Sequence, residues 1–513
     1  EIVEMSEKTN VLFIISDQQR YDHMSCSGNK ILNTPNLDKL SREGVHFTNA
    51  FCTNPMCMPN RATLLTGLYP NVHGVRSNGM ILSNDVPTIT QTLVKSGWYT
   101  AAFGKLHHQF NVAPYKTGYK STEHFHDWVF PKEGDYPVRE NFPIPYYGYQ
   151  EVEMVLGHGA CLCGHYLDWL EERSPELANK MRERWKNTDN FFSVFTEHEI
   201  PVELYSSAYV VERTIAFLER HSNGDYGEKP FYIHCGFPDP HQPVWPPGKY
   251  KTMYNPEDIE LPKSFKNLDN LRNHPYLASY INVMPGAMLR ETTEEEAKLF
   301  IAYTYGIVSL IDDSVGQILH ALEKLGYADN TIVVYTSDHG DLMGDQGMLF
   351  KGPSAYMGVL HIPMIWKGPK ITKPAITDAL ISSIDYPKTI LNLLGIKEKR
   401  HPPDMQGYDM TSILREPENL EMQPRDCCLI EEDEEIGPLN VRLRHLITKD
   451  HKLTIYEDIK DFGDLFDRKN DPNELHNLWF DSDHNNIRFS LVNRLLQECL
   501  KTQTRYPKRI AGT

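Results

Sequence analysis

The chain has 513 residues, too many for one small core, so a large domain with a smaller companion is the natural expectation. A formal charge of −17 argues against nucleic acid as a partner but leaves room for a local basic pocket that takes an anionic small molecule. Composition is that of a globular enzyme, with 40% hydrophobic and 24% charged residues and a mean hydropathy of −0.48. No apolar run approaches the roughly 20 residues of a bilayer span, so no membrane partner is expected. Glu1 to Asn10 lacks the apolar stretch of a secretory signal, and nine scattered cysteines read as reduced thiols; both point to the cytoplasm.

In chain order, Val11 to Ile15 reads as a buried strand. Pro35 to Glu43 reads as a helix with Thr34 as N-cap and Pro at its first position. Thr88 to Ser96 reads as a helix stopped at Gly97, and Tyr99 to Phe103 as the next strand. The stretch from about Lys116 to Pro201 is aromatic and weakly periodic; it reads as an insertion lying over the site. Pro230 to Cys235, Thr331 to Thr336 and Pro363 to Trp366 are further short apolar strands, with an amphipathic helix over Val308 to Leu325. From about Pro424 the pattern changes. Val441 to Ile447 and Lys452 to Tyr456 suggest antiparallel strands, and Ile487 to Leu500 a helix with Ile487, Leu491, Leu495 and Cys499 on one face. The expected fold is α/β over residues 1–423, a large, mostly parallel doubly wound sheet flanked by helices. Residues 424–513 are expected to form a smaller α+β domain with an antiparallel sheet.

Several of these strands end in chemically capable residues. Val11 to Ile15 leads to Asp17 and Gln18, and Tyr99 to Phe103 to Lys105 and His107. Pro230 to Cys235 leads to Asp239 and His241, and Thr331 to Thr336 to Asp338 and His339. Singly, an Asp after a strand is more often a turn former, and a lone His more often a satisfied core or surface residue. Together they converge, because open α/β sheets bind ligands beyond the carboxyl ends of their strands.

Cys57 is the second anchor. Pro59 suits the first turn of a helix and Gly67 its end, which places Cys57 at a helix N-terminus, where a thiolate or a bound oxyanion is favoured. Arg61, one turn on, can reach back to the same place. A buried structural cysteine is the competing reading.

Cys57-Met-Pro-Asn-Arg61 resembles the Cys-x-Pro-x-Arg signature of the sulfatases, in the alkaline phosphatase superfamily. The resemblance covers nearly the whole chain. It takes in Asn10 to Asp17, Gly67 to Gly74, Gly104-Lys105-Leu106-His107, Asp338-His339-Gly340 with Lys351, and Leu465 to Leu478. It implies that Cys57 is oxidised by a formylglycine-generating enzyme, its partner in maturation, to formylglycine, whose hydrate is the nucleophile. It implies one divalent metal held by Asp17, Asp338, His339 and residue 57, with Gln18 as a further ligand. Calcium, which suits an oxygen-rich site, is the expected metal, and manganese, which the histidine and amide favour, is the alternative. Lys105, Lys351 and Asn78 would grip the sulfuryl oxygens, and Arg61 would orient the hydrate. His241 would act as leaving-group acid, and His107 would take a proton from the sulfated hydrate. The implied reaction is hydrolysis of a small sulfate monoester, a sulfated sugar or an aryl sulfate; a homo-oligomer is left open.

Many sulfatases carry two aspartates where this chain has Asp17-Gln18, and Asp-Asn where it has Asp338-His339. Asp-Gln and Asp-His recur in the branch with phosphonate monoester hydrolases, which makes that activity, or a phosphodiesterase, the alternative. An inactive binding protein is the distant one. Two signals read as structural: His158, Cys161, Cys163 and His165 lack a standard zinc spacing and read as a loop, and Glu431 to Glu435 reads as a solvated loop.

Overall fold

The computed structural model describes residues 8–112, 120–130, 138, 141–186, 193–283, 288–354, 356–371, 373–435 and 440–503. Branched apolar runs build its centre. Strand β1 (Asn10–Asp17) is buried along its whole length, as a strand covered on both faces must be. Around it lie β2 (Val45–Phe51), β3 (Tyr99–Gly104), β4 (Glu151–His158), β5 (Cys161–Gly164) and β6 (Phe231–Pro240). A two-stranded ribbon pairs β7 (Arg290–Glu291) with β9 (Met348–Leu349), and β8 (Thr331–Ser337), β10 (Met364–Lys367) and β11 (Ala375–Ser382) complete the main sheet. Its order is β11-β2-β10-β8-β1-β6-β3-β4-β5. β6 and β8 flank β1 in parallel, β3 and β4 continue parallel beyond β6, and only the pairs made by β10 and β5 are antiparallel. This is the mostly parallel, helix-flanked sheet expected.

A second sheet is antiparallel throughout, in the order β12 (Cys427–Glu434), β13 (Val441–Thr448), β14 (His451–Tyr456) and β15 (Gly463–Asp467). The helix Asn485–Thr502 packs on it through Leu491 and Leu495. Cys428, Ile430 and Ile447 of this sheet belong to the main core, so the two sheets share apolar contacts. The helix Glu294–Lys324 begins well before Val308; Thr293 caps it by accepting from Glu296 N–H at 3.2 Å, and three glutamates fill its first turn.

Two expectations are corrected. The described part of 116–201 is no mere cover: β4 and β5 extend the main sheet, and the helices His165–Arg173 and Pro175–Trp185 follow. Its residues 116–119, 131–137, 139–140 and 187–192 lie outside the described residues. Glu431 to Glu434 is not a solvated loop but part of β12, and all four side chains are buried. Each has a partner from elsewhere: Asn71 N–H to Glu431 at 3.1 Å, His445 to Glu432 at 3.1 Å, Arg444 to Asp433 at 2.5 Å, and the Ser77 hydroxyl to Glu434. No described helix is long and apolar enough to cross a membrane.

Candidate active site

The carboxyl ends of β1, β3, β4, β6 and β8 lie along one edge of the sheet, and the helix Cys57–Thr66 starts there with Cys57 as its first residue. That helix ends at Gly67 with φ of 71°, a left-handed cap that Gly adopts without strain. The Cys57 thiol lies 3.1 Å from His339 Nε2 and 3.3 Å from Lys351 Nζ. Burial and Asp17 push it up, against the pull of Lys351 and Lys105.

Asp17 and Asp338 are fully buried. Burial would raise the Asp17 carboxyl, but Lys105 and Arg61 outweigh it and hold it well below the carboxylate range. Arg61 donates to Asp338 at 2.7 Å, to Asp17 at 3.2 Å and to the Lys105 carbonyl at 3.1 Å. Its guanidinium is thus fixed on the two carboxylates, rather than simply turned back on residue 57 as expected. Lys105 pairs with Asp17. Lys351 Nζ faces Gln18 Oε1 at 2.9 Å, and His241 Nε2 and His339 Nε2 at 3.0 Å each.

Asp17, Cys57, Asp338 and His339 offer ligand atoms that all lie within 4.8 Å of one another. His339 tests whether a cation fits. Its Nδ1 sits 2.9 Å from the Gly340 carbonyl, which can only accept, so Nδ1 carries the hydrogen and Nε2 the lone pair. Burial lowers its pKa to about 4, so the ring is neutral. That lone pair has Lys351 Nζ at 3.0 Å and the Cys57 thiol at 3.1 Å, with Asp338 Oδ1 and Asp17 Oδ1 at 3.7 and 3.9 Å. A neutral imidazole nitrogen beside two buried carboxylates is a donor set that suits a divalent cation, so the residues fit one. Gln18 is adjacent, but its NH2 is taken by Gln242 and Asp341 at 2.6 Å each, and its oxygen accepts from Lys351.

His107 is buried, and its Nδ1 has no hydrogen-bond partner. Burial, then Lys105 and His158, hold the ring well below the usual histidine range, so it is neutral. His241 donates from Nδ1 to the Gln242 carbonyl at 2.7 Å, which leaves Nε2 facing the site. Burial, His158 and Lys351 keep it neutral as well. Asn78 accepts from Met58 N–H at 3.0 Å at the start of the Cys57 helix, so its oxygen is committed and only its NH2 remains for a ligand.

Sequence reasoning missed His158, Asp341 and Gln242. His158 stacks on His241, with ring centres 3.7 Å apart, and lies 3.2 Å from Lys105 Nζ. It obeys the same strand-end rule as the others and was hidden because β4 was not recognised. Cys161 and Cys163, its neighbours in the discarded zinc pattern, are buried in β5, and no metal cluster among the described residues includes them.

The sulfatase family model matches residues 9–396. The chain belongs to the sulfatase family. A model of the C-terminal part of N-sulphoglucosamine sulphohydrolase matches residues 346–501. Among relatives of this sulfatase, an uncharacterized sulfatase, YidJ, of Escherichia coli strain K12 is 28% identical over 96% of this chain and 86% of its own. An arylsulfatase of Clostridium perfringens is 27% identical over 80% and 79%. The crystal structure of a phosphonate monoester hydrolase of Agrobacterium radiobacter superposes with a TM-score of 0.76 at 24% identity, over 98% of this chain and 97% of that one. By family this sulfatase is a sulfuric ester hydrolase, the enzyme class that the sequence leads one to expect.

Proposed function

We propose that the enzyme hydrolyses sulfate monoesters of a sugar or an aryl alcohol, with a nucleophile made from Cys57. The observation that carries this reading is the gathering of Cys57, Asp17, Asp338 and His339 within one buried cluster, edged by Lys105, Lys351 and His241. Asp17, Asp338, His339 and residue 57 would hold a divalent metal, which supplies positive charge against the sulfuryl oxygens. The formylglycine that a generating enzyme would make from Cys57 supplies, when hydrated, the attacking oxygen.

The chain's own groups do the rest. Arg61 locks both carboxylates in place. Lys105 and Lys351 are free to turn their ammonium protons from protein acceptors to sulfuryl oxygens, and Asn78 offers its NH2 beside them. An anion set against Lys351 would let the His241 ring take up a proton from water at Nε2, and the imidazolium so formed would pass that proton to the leaving oxygen. His107, neutral and unpartnered at Nδ1, would accept the proton whose removal releases sulfate.

Intact mass spectrometry tests maturation, since an aldehyde in place of the thiol changes the mass of the chain. Rates on matched aryl sulfate and aryl phosphonate esters test the reaction. Gln18 and His339 favour a second reading, a phosphonate monoester hydrolase, and a higher rate on phosphonates than on every sulfate tried would establish it instead.

A further inference from the structure

β4 reaches the site by outrunning its partner. Its register with β3 runs from Ala101↔Glu151 to Gly104↔Met154, and the strand continues beyond that to His158. There it turns into β5, with His158 paired to Cys161. Two glycines flank the histidine, Gly157 with φ of 89° and Gly159 with φ of 51°. A Cβ on Gly157 would lie 2.0 Å from the Cys161 carbonyl oxygen, and one on Gly159 would lie 2.1 Å from that of Pro243. Gly159 thus brings the turn against Pro243, Gly157 closes the hairpin on Cys161, and neither leaves room for a side chain beside His158.

This approach lays the His158 ring almost parallel to that of His241, at 16° and 3.7 Å between centres. Among the described residues, the hydrogen bonds on the His241 ring lie at its rim, from Nδ1 to the Gln242 carbonyl and from Lys351 to Nε2. Rim hydrogen bonds leave a ring free to tilt about the line joining them; a flat neighbour on one face removes that freedom. We propose that His158 is a positioning residue, whose stacked ring sets the plane of His241 so that Nε2 is aimed at the leaving-group oxygen. The inference rests on the reading of His241 as leaving-group acid.

The test uses the mature, metal-loaded enzyme and two esters, nitrophenyl sulfate and a sugar sulfate. His158→Ala removes the stack, and His158→Phe keeps a flat ring without nitrogens. On the sugar sulfate His158→Ala should lower kcat by about tenfold or more, with KM little changed, because a misaimed group costs rate rather than binding. On nitrophenyl sulfate, which needs no acid, the loss should be several-fold smaller than on the sugar sulfate, and what remains reports the contact of His158 with Lys105 at 3.2 Å. His158→Phe should recover most of the loss. In a His241→Ala background His158→Ala should cost less than about twofold more, since it acts through a ring no longer there. Equal damage from His158→Ala and His158→Phe would overturn the proposal, and so would a full additional loss in the His241→Ala background. Equal losses from His241→Ala itself on both esters would overturn it too, while leaving sulfate hydrolysis intact. If the wild type turns over only phosphonate monoesters, the proposed reaction fails, and the same variants on aryl and alkyl phosphonates decide the positioning role by the same pattern.

Discussion

Asp338→Asn is the sharpest probe of the buried carboxylate cluster. Three donors converge on Asp338: Arg61 Nε at 2.7 Å on Oδ2, and the backbone N–H groups of Gln18 and His339 at 3.0 and 2.9 Å on Oδ1. Asparagine keeps the shape but replaces one oxygen with NH2. The backbone donors are fixed, so the amide must keep its oxygen on them and turn its NH2 against the Arg61 N–H, donor to donor. The direct loss is one charge-assisted hydrogen bond, about 1.5–3 kcal/mol. Breaking a buried pair costs about 3–5 kcal/mol, but Arg61 retains Asp17 at 3.2 Å, so about 3 kcal/mol is the expected scale. Applied to transition-state organisation, that is on the order of 100-fold in rate. The change also removes one of two carboxylates from the proposed metal cup. Asp338→Asn should therefore fold, bind less metal by elemental analysis and turn over nitrophenyl sulfate at least about 100-fold more slowly. Chelated wild type serves as the reference. Wild-type metal content together with a wild-type rate would refute the reasoning. A slow enzyme with full metal content would mean that Asp338 acts through Arg61 alone and is no ligand.

Cys57→Ala should abolish turnover and leave the circular dichroism spectrum unchanged; measurable sulfatase activity in this variant removes the nucleophile assignment. His241→Ala should slow an alkyl or sugar sulfate on the order of 100-fold and nitrophenyl sulfate far less, whereas equal losses would mean that the ring binds the sulfuryl group. Burial lifts the Glu434 carboxyl from 4.5 to about 8, so within that window the folded chain holds a proton that the unfolded chain has released. Its contribution to stability is full below about pH 4.5 and is lost as pH rises toward 8. Glu434→Gln should flatten the fall of melting temperature between those pH values, and a slope identical to wild type would contradict it.

The central sheet was legible because its strands are short apolar runs, and Asp17, Lys105, His241, Asp338 and His339 because each follows such a run. β2 and β11 were overlooked for a physical reason. Thr48 and Asn49 in β2, and Thr377 and Asp378 in β11, put polar residues inside these strands, which breaks up the apolar pattern. β4 was lost inside an aromatic stretch, and His158 with it. The acidic strand β12 was misread because charge is a local signal while its neutralisation is not. His445 answers Glu432 from the next strand, and Ser77 answers Glu434 from the far end of the chain. Arg61 was assigned to residue 57 by helical spacing and by the resemblance, and spacing knows nothing of two carboxylates brought in from other strands.

The same electrostatics explain why the substrate was the least legible feature. Three buried cations, Arg61, Lys105 and Lys351, stand against two buried carboxylates, Asp17 and Asp338, while burial keeps the surrounding imidazoles neutral. Asp341, fully buried on the Gln18 amide, adds a third carboxylate, so the three cations are matched in number, and a metal's charge would be what remains to face a monoanion. Sulfate monoesters and phosphonate monoesters both carry one negative charge, so charge cannot separate them. What differs is the third substituent, an oxygen on sulfur but a carbon group on phosphorus. An oxygen there can take donors from Lys105 and Lys351; a carbon group needs an apolar space that accepts none. His158 lies 3.2 Å from Lys105, a proximity that no single motif records.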